Sequence, residues 1–398
     1  MFWKSKNRKS ICIILEVEGY GTKTHAFDLV QKILERGYAV EIVSCRFDIF
    51  QDYPKPYDPA KVKFILTPLS AFDRKVSFSA WNRLLKGIKS PVVILERSSM
   101  FFGTHAFLFS CRCRFRRVYY IHHYSESFMP KKKQIKHFLG LMEGLELWWH
   151  RERFMRFLKS LYSTKIIAVS EYMRQHLIHD WAYPRNKVMC VHNGIFWHKF
   201  MRDKKLGLEF RKKYGLSAEA TVFGMLTRFD PDKGVDIGIE AFGQFMKNHN
   251  GGSFYLVLVG GGSGREKILS LVKSLNLEDR VIFCGFCADP RPALSSFDVL
   301  LSPSRSEVFG LCVAEAMAAE CLTIISNVGG MVEIVKGPEH GWIVPSENPK
   351  ELCRAMEEVL KMDETSRERI RQNALKRVKE HFNADINYQK ILDVCGIT

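Results

Sequence analysis

Two carboxylates with a fixed spacing stand out in the second half of this 398-residue chain. Glu307 and Glu315 are separated by the seven residues 308–314. If residues 307–315 were all helical, the two glutamates would lie about 12 Å apart along the helix axis. Carboxylates are strong hydrogen-bond acceptors for hydroxyl groups. The pair could therefore bind the two ends of one elongated ligand that carries hydroxyl groups.

The residues between the two carboxylates indicate what the middle of that ligand contains. The sequence predicts a helix over residues 311–319, directly after Phe309 and Gly310. The first amides of a helix favour an anion, and a glycine there permits close approach of the backbone. A phosphate with hydroxyl groups on either side matches a nucleotide sugar. Phe309, Gly310 and Leu311 are therefore predicted ligand contacts, together with the two glutamates.

A simpler interpretation is that Glu307 caps the helix and Glu315 is a solvated helical residue. The neighbours of Glu315, residues 313–314 and 316–317, are all apolar. Such surroundings are unusual for a carboxylate that binds nothing, because burying a charge without a partner is costly. The pattern favours a binding role for Glu315.

The elements that must position these residues alternate between strands and helices. In the first half, strands are predicted at residues 10–16, 39–44, 62–66, 92–95, 118–121 and 165–169. In the second half, strands are predicted at residues 222–226, 254–259, 280–284, 299–302 and 322–325. This rhythm is typical of parallel sheets covered by helices on both faces. The charged stretch 199–213 between the halves is predicted to be a hinge.

Composition allows two domains and narrows the function classes. A chain of 398 residues with 46% hydrophobic residues exceeds what one core usually organises. It has no apolar run of about 18 residues and no signal-peptide cleavage pattern, so we expect it to be neither secreted nor membrane-spanning. The eleven cysteines are scattered and are expected to be reduced thiols. The net charge of +17 is compatible with phosphorylated substrates, anionic membranes or nucleic acid.

The order of motifs resembles the family-four retaining glycosyltransferases. Glu307–Glu315 resembles the Glu-x7-Glu signature of that family, and residues 226–234 resemble its Gly-Arg-x4-Lys-Gly diphosphate clamp. Further motifs match the family in order, at residues 166–173, 191–194, 257–262, 281–286, 303–304 and 328–330. The resemblance covers nearly the whole chain and is strongest in the second half.

The resemblance implies roles for individual residues of the donor site. Arg228 and Lys233 would neutralise the donor diphosphate, Glu315 would bind the ribose, and Glu307 would contact the donor sugar. Two fixed cations and the helix-start amides can stabilise the charge of a departing diphosphate without a metal ion. No metal site is predicted. A plain surface position for Arg228 and Lys233 is the alternative.

Two further sites in the first half are implied by the same resemblance. Gly19 and Gly21 lie in a loop that in the family approaches the donor phosphates, although a plain tight turn is an equal alternative. His122 follows a predicted strand and would lie near the donor sugar, with His123 as second choice. A histidine bonded only to backbone is the competing interpretation for either one.

The implied fold is α/β of the GT-B type, with two Rossmann-like doubly wound domains facing a central cleft. The predicted domains are residues 1–197 on the acceptor side, residues 198–380 for the nucleotide-sugar donor, and a C-terminal helix at 381–398 that crosses back to the first domain. Glu320 departs from the family pattern, because glycine is usual where the chain needs a left-handed turn. If Glu320 keeps the left-handed turn, we expect the strain to lower the stability of the protein by about 1 kcal/mol.

The predicted function is a retaining hexosyltransferase that uses a UDP- or GDP-sugar, needs no cofactor, and acts on a glycan or lipid-linked acceptor in polysaccharide or lipopolysaccharide biosynthesis. The alternative is a basic nucleic-acid-binding α/β protein, although the sequence lacks an RNA-recognition, helix-turn-helix or zinc-finger signature. A catalytically idle scaffold is a third possibility.

A basic stretch suggests where such an enzyme works. Lys131, Lys132, Lys133 and Lys136 precede a run of aromatic residues interleaved with arginines. An interfacial element on an anionic membrane is one interpretation, and a helix packed on the first domain with a solvated basic edge is the other. We expect a cytoplasmic protein bound peripherally to the inner face of the cytoplasmic membrane, with nucleic acid not a partner.

Overall fold

The chain forms two α/β units, each built on one parallel sheet. The computed structural model describes residues 9–16, 20–44, 58–67, 77–97, 105–123, 157, 160–249 and 251–397. One unit comprises the described residues up to Asn193 and from Asp385 onward, and the other is Gly194–Ala384. The division falls at 193/194, and Ile195, just after it, pairs with Asn383 of the second unit. The segment from Asp385 belongs to the first unit.

The first unit contains a seven-stranded sheet in the order β3-β2-β1-β4-β5-β6-β7, with every pairing parallel. The strands are β1 Ser10–Glu16, β2 Ala39–Ser44, β3 Val62–Leu66, β4 Val92–Arg97, β5 Arg117–His122, β6 Lys165–Ala168 and β7 Val188–Cys190. The described helices are α1 Tyr20–Glu35, α2 Phe78–Lys86, α3 His105–Arg114 and α4 Glu171–His179. The central strands are almost fully buried, as expected for a sheet covered on both faces.

The second unit contains a six-stranded parallel sheet in the order β10-β9-β8-β11-β12-β13. Its strands are β8 Thr221–Leu226, β9 Phe254–Val259, β10 Val281–Gly285, β11 Val299–Ser302, β12 Leu322–Ser326 and β13 Trp342–Val344. Its helices are α5 Trp197–Phe200, α6 Lys204–Lys213, α7 Val235–Asn248, α8 Arg265–Ser274, α9 Arg291–Ser296, α10 Leu311–Ala318, α11 Met331–Ile334, α12 Pro349–Lys361 and α13 Glu364–His381. The helix α14 Ala384–Cys395 ends the chain in the first unit. Both sheets have the strand order of doubly wound folds, so the predicted fold class is confirmed.

The predicted hinge at residues 199–213 is wrong in its larger part. Asp203 caps α6 by accepting bonds from the amides of the first turn. The Arg211 guanidinium is buried and donates to the carbonyl of Ser296, at 2.8 and 3.1 Å, and to the carboxylate of Asp298 at 2.9 Å. Gly207 lies directly against the carbonyl of Ser295. The charged stretch is therefore a packed helix of the second unit.

Three other expectations concern single features of the chain. Glu320 adopts a φ of +56°, so the left-handed turn is kept without glycine. The ten cysteines of the described residues all have free thiols. Among the helices that the structure describes, none combines the length and the apolar character needed to cross a membrane.

Candidate functional site

The candidate site lies where the strand order of the second sheet reverses. β8 and β11 are adjacent in this sheet, and the strands that follow them in sequence lie on opposite sides of this pair. In doubly wound folds, ligands bind outside the carboxyl ends of the strands at this reversal. Arg228 and Lys233 follow β8, and Glu307 follows β11. The fold thus brings together Lys233 and Glu307, which are 74 positions apart in sequence.

The loop after β8 is fixed tightly to the loop after β11. Residues Pro231–Lys233 form a 3-10 turn that ends at Gly234, whose φ is +63°. A β-carbon at Gly234 would overlap the carbonyl oxygen of Pro303, so only glycine fits there. The amide of Arg305 donates to the carbonyl of Asp232 at 2.7 Å. These constraints set the position of the Lys233 side chain relative to the second loop.

Lys233 lies between two carboxylates. Its Nζ is 3.0 Å from Glu307 Oε2 and 3.3 Å from Asp232 Oδ2, and its side chain is 15% exposed. Burial alone would lower the pKa of Lys233, but the charges of Glu307 and Asp232 outweigh it, and the pKa is raised. Among the described residues, Asp232 and Glu307 supply acceptors for two of the three ammonium protons, which leaves the third for a ligand.

Arg228 is more exposed than Lys233 and also has an acidic partner. Its Nη1 lies 2.8 Å from Asp230 Oδ2, while 60% of its side chain is exposed. A guanidinium has five N–H donors, so one ion pair leaves most of them available for an anion. Both predicted cations are therefore already paired with an aspartate, which sequence reasoning did not anticipate.

Arg305, in the loop after β11, links that loop to the loop after β8 and to the start of α7. Its guanidinium makes a bidentate ion pair with Asp236 on α7, at 2.8 and 2.9 Å, and donates to the carbonyl of Pro231 at 2.7 Å. Burial would raise the pKa of Asp236, but the bonds from Arg305 lower it below its ordinary value. Planar two-point pairing of this kind fixes geometry as well as charge.

The second loop ends in a left-handed residue that starts a helix. Gly310 caps α10 with a φ of +101°, and the amide of Val313 is bonded to the Gly310 carbonyl at 3.0 Å. The preceding amides, of Leu311 and Cys312, have no acceptor within the helix. Because the helix begins only at Leu311, the 12 Å estimate for a wholly helical step from Glu307 does not apply.

The partly exposed side of α10 carries the second glutamate. Leu311, Cys312 and Glu315 are partly exposed, whereas residues 313–314 and 316–318 are buried. Burial and then the charges of Glu307 and Glu315 raise the pKa of the Cys312 thiol to about 12, and Lys233 opposes them. The charges of Lys233, Glu307 and Glu315 therefore all act on the Cys312 thiol. Phe309, a predicted ligand contact, is buried at 2% exposure.

The loop after β12 supports Glu307 through a glycine. Gly329 has a φ of +58°, and a β-carbon on it would overlap the carbonyl of Glu307. The amide of Gly330 donates to that same carbonyl at 3.2 Å. The backbone of Glu307 is held by close packing, while its side chain stays 21% exposed.

The predicted residues of the first unit lie at the ends of its own strands. His122 is the last residue of β5 and is 1% exposed, with its ring packed edge-on against Trp181 at 5.4 Å. His123 points to the opposite face of the sheet, because side chains alternate along a strand, and its Nε2 lies 2.7 Å from Glu96 Oε2. Gly21 is in the first turn of α1, and Gly19 lies outside the described residues.

Two sequence-family profiles match the chain, one on each half. The profile described as Glycosyl transferases group 1 matches residues 208–377, and the profile described as Glycosyltransferase Family 4 matches residues 20–196. The chain belongs to glycosyltransferase family 4.

Curated relatives agree with this assignment. An uncharacterized glycosyltransferase of Methanocaldococcus jannaschii is 31% identical over 238 residues, which cover 58% of this chain and 59% of that relative. The O-antigen biosynthesis glycosyltransferase WclY of Escherichia coli is 30% identical over 154 residues, covering 39% of this chain and 41% of WclY. The chain thus spans about half the length of these relatives.

A solved structure supports the fold. The crystal structure of HepE from Anabaena in complex with UDP-glucose has a TM-score of 0.75 with this glycosyltransferase family member, at 17% identity, and covers 98% of this chain and 100% of that chain. At this identity the likeness establishes the GT-B fold.

Several residues of the site were missed by sequence reasoning. Asp230 and Asp232 lie within the predicted clamp motif, so the alternation of acids and bases in residues 228–233 was a visible signal for ion pairing. Arg305 follows the Pro303-Ser304 landmark directly, but its partner Asp236 is 69 positions away. Nothing in the local sequence indicates that contact.

Proposed function

We propose that this family-four member is a retaining glycosyltransferase that moves a hexosyl unit from a nucleoside-diphosphate sugar, a UDP- or GDP-sugar, to a glycan or lipid-linked acceptor in polysaccharide or lipopolysaccharide biosynthesis. The observation that carries the proposal is the position of Lys233, which is fixed between Asp232 and Glu307 beside the start of α10. HepE, which has the same fold, was crystallised with UDP-glucose, and this supports a nucleotide-sugar donor.

The donor diphosphate would bind between the two cations and the helix start. Lys233 offers its third proton, Arg228 offers its exposed guanidinium, and Leu311 and Cys312 offer backbone amides. Asp230 and Asp232 hold the two cations in place before the ligand arrives. Pre-positioned charges of this kind stabilise a leaving group without reorganising when the bond breaks.

Hydroxyl groups of the donor would bind the two glutamates. Glu315, on the partly exposed side of α10, would accept bonds from the ribose, and Glu307 would accept bonds from the sugar. Glu307 already accepts a hydrogen bond from Lys233 Nζ at 3.0 Å. We assign it a hydroxyl-binding role, in which its carboxylate oxygens again act as acceptors.

The chemical step would need no metal cofactor in this site. As the bond from the sugar to the diphosphate lengthens, the growing negative charge falls on oxygens next to Lys233 and Arg228, and a diphosphate oxygen accepts the proton of the attacking hydroxyl. Retention of configuration and the role of His122 beside the donor sugar rest on the family resemblance. No residue here is assigned as a covalent nucleophile.

A thermal-shift screen against nucleotide sugars tests the donor. We expect one UDP- or GDP-sugar to raise the melting temperature saturably in the wild type, and Glu315→Gln to weaken this response about tenfold or more, since a hydrogen bond to a charged group contributes about 1.5–3 kcal/mol. Exposed Glu240→Gln on α7 is the control and should respond like the wild type. Stabilisation by oligonucleotides but by no nucleotide sugar would support the nucleic-acid alternative.

Peripheral membrane attachment is the proposed location of the enzyme. Lys131, Lys132, Lys133 and Lys136 lie outside the described residues, so the proposal rests on their sequence. Each lysine near an anionic surface contributes about 1 kcal/mol, which suffices for weak, salt-sensitive binding by four. Flotation with anionic liposomes should recover the wild type at low salt and lose a variant with all four changed to glutamine. Equal recovery of both proteins would contradict the proposal.

A further inference from the structure

A cluster of three metal-ligating side chains lies in the first unit. His25 comes from α1, Glu96 from the end of β4, and His123 from the position after β5. His25 Nδ1 is 3.2 Å from Glu96 Oε1, and His123 Nε2 is 2.7 Å from Glu96 Oε2. One ligand atom from each residue lies within 4.8 Å of the other two. Three distant segments thus converge on one point.

The cluster is sealed from solvent, and part of it lacks hydrogen bonds. His25 is 2% exposed, Glu96 is 0% exposed, and the His123 side chain is 5% exposed. Within the described part of the chain, both ring nitrogens of His25 and Glu96 Oε1 have no hydrogen-bond partner. His25 Nδ1 lies 3.2 Å from Glu96 Oε1, within ion-pair distance. Buried polar atoms are rarely left without a partner, because desolvating them is costly.

We propose that His25, Glu96 and His123 bind a divalent transition-metal ion, with Zn²⁺ the ion that best fits the site. Two imidazoles and one carboxylate are a common three-residue zinc set, and the fourth position is taken by water. With bonds of about 2.1 Å, tetrahedral ligand atoms lie about 3.4 Å apart, close to the distance from His25 Nδ1 to Glu96 Oε1. The metal supplies the partner that His25 Nδ1 and Glu96 Oε1 lack.

The ligand types select the class of ion. Imidazole nitrogens favour zinc and its first-row neighbours, whereas magnesium and calcium prefer sites made only of oxygen. None of the three ligands is a thiolate, the group that copper(I) and iron–sulfur clusters prefer. A borderline ion with tetrahedral preference therefore fits this site best.

The contacts around the cluster show which elements a bound metal would connect. The His25 ring packs edge-on to His123 at 4.5 Å and lies 5.0 Å from the ring of Tyr388 on α14. The ion would therefore connect α1 to the ends of β4 and β5, next to Tyr388 of α14. Binding that requires the folded arrangement stabilises the fold. This proposed metal is separate from the transfer reaction. The donor site proposed in the second unit needs no metal ion.

Sequence spacing could not reveal the site. The three ligands are separated by 71 and 27 positions, and no close pair of metal-ligating residues marks them. Zinc motifs are recognisable in sequence only when ligands come in closely spaced pairs. The parallel sheet creates this cluster, because the carboxyl ends of β1, β4 and β5 meet at one edge.

Metal analysis of the full chain tests the proposal. The protein, with any affinity tag removed, is dialysed against metal-free buffer, and zinc is measured by mass spectrometry; Co²⁺ uptake is then followed by its ligand-field absorption. We expect one zinc ion per chain and cobalt bands typical of a tetrahedral nitrogen and oxygen site. Glu96→Gln and His25→Gln should lose both signals, whereas His176→Gln, which breaks a histidine–carboxylate pair on α4, should keep them.

Two results would overturn the proposal. A folded wild-type chain that holds no zinc and takes up neither Zn²⁺ nor Co²⁺ would show a hydrogen-bonded cluster without an ion. Equal zinc in the wild type and in Glu96→Gln would show binding elsewhere on the chain. The wild-type measurement needs no variant to fold, so the test stands even if Glu96→Gln is unstable.

Discussion

The two units place opposite charge arrangements at corresponding points of their sheets. In the second unit one cation, Lys233, lies between the carboxylates of Asp232 and Glu307. In the first unit one carboxylate, Glu96, lies between the imidazoles of His25 and His123. Both clusters lie at the strand-order reversal of a doubly wound sheet. The same fold position thus carries two different kinds of site.

Exposure separates the two clusters. The side chains of Lys233 and Glu307 are 15% and 21% exposed, whereas Glu96 is fully buried. An accessible ion pair can exchange a protein partner for a ligand, because little is lost when water or phosphate replaces one contact. A buried charge cannot, since any unpaired state is costly. We infer that the first cluster serves stability and the second serves binding.

The largest expected effect is on stability and follows from Glu96. Glu96→Ala removes the only carboxylate within bonding distance of His25 and His123 among the described residues. We expect a loss of about 3–5 kcal/mol in the free energy of unfolding, because a buried cluster loses its central partner. Chemical denaturation measures this, and nucleotide affinity at temperatures where the variant is folded should stay normal. A change below about 1 kcal/mol would contradict the inferred role.

The second expectation is that a change at Lys233 affects turnover strongly and stability little, the opposite of the change at Glu96. Lys233→Met keeps most of the length of the side chain and removes its charge. We therefore expect turnover to fall about 10²–10³-fold, as when one transition-state donor is lost. Stability should change by no more than about 1 kcal/mol, since the ion pairs are partly exposed. Steady-state kinetics measures turnover, and chemical denaturation measures the free energy of unfolding. Exposed Lys247→Met on α7 is the matched control and should change neither.

A third prediction concerns the backbone that supports Glu307. Gly329 has a φ of +58°, and the β-carbon of Gly329→Ala would overlap the Glu307 carbonyl. We therefore expect the free energy of unfolding to fall by more than about 2 kcal/mol, and activity to fall with it. Gly37→Ala is the control, because Gly37 has a φ of +76° but no atom within 4 Å. That change should cost only about 1 kcal/mol. Equal losses for both would show that packing against Glu307 contributes nothing.

The smallest effect is expected at Glu320. This residue holds a left-handed φ of +56° at the end of α10, where glycine has no steric penalty. Glu320→Gly should stabilise the protein by up to about 1 kcal/mol and leave turnover unchanged. Thermal or chemical unfolding of the two proteins measures the difference. Destabilisation would mean that the side chain makes contacts that outweigh the strain.

The sequence predicted the strands well where buried apolar runs are long. β1, β2, β3, β9 and β11 have the expected bounds, because each is a short, mostly apolar run bounded in sequence by polar or turn-forming residues. The short strands Val188–Cys190 and Trp342–Val344 were not predicted, since three residues carry no usable periodicity. The charged helix α6 was taken for a hinge because the buried Arg211 has the same sequence signature as a solvated arginine.

The two sites differed in how far their residues are spread along the chain. Arg228, Lys233, Glu307 and Glu315 lie in two short motifs, so their spacing alone was informative. Long-range partners have no such local pattern, and a single sequence cannot reveal them. Asp236 with Arg305, and His25 with Glu96, meet only through the topology of the sheet. His123 was considered only as a substitute for His122, although the two side chains lie on opposite faces.

Binding of nucleotides that differ by one phosphate tests the central claim most directly. Calorimetry with uridine and guanosine mono- and diphosphates, on the wild type and on Lys233→Met, isolates the contribution of the second phosphate. We predict that one diphosphate binds the wild type at least about tenfold more tightly than its monophosphate, since a charge-assisted bond contributes about 1.5–3 kcal/mol. Lys233→Met should reduce that preference about tenfold, because Arg228 and the helix-start amides remain, and should leave monophosphate binding unchanged. An undiminished preference in Lys233→Met would contradict the assignment of the donor site.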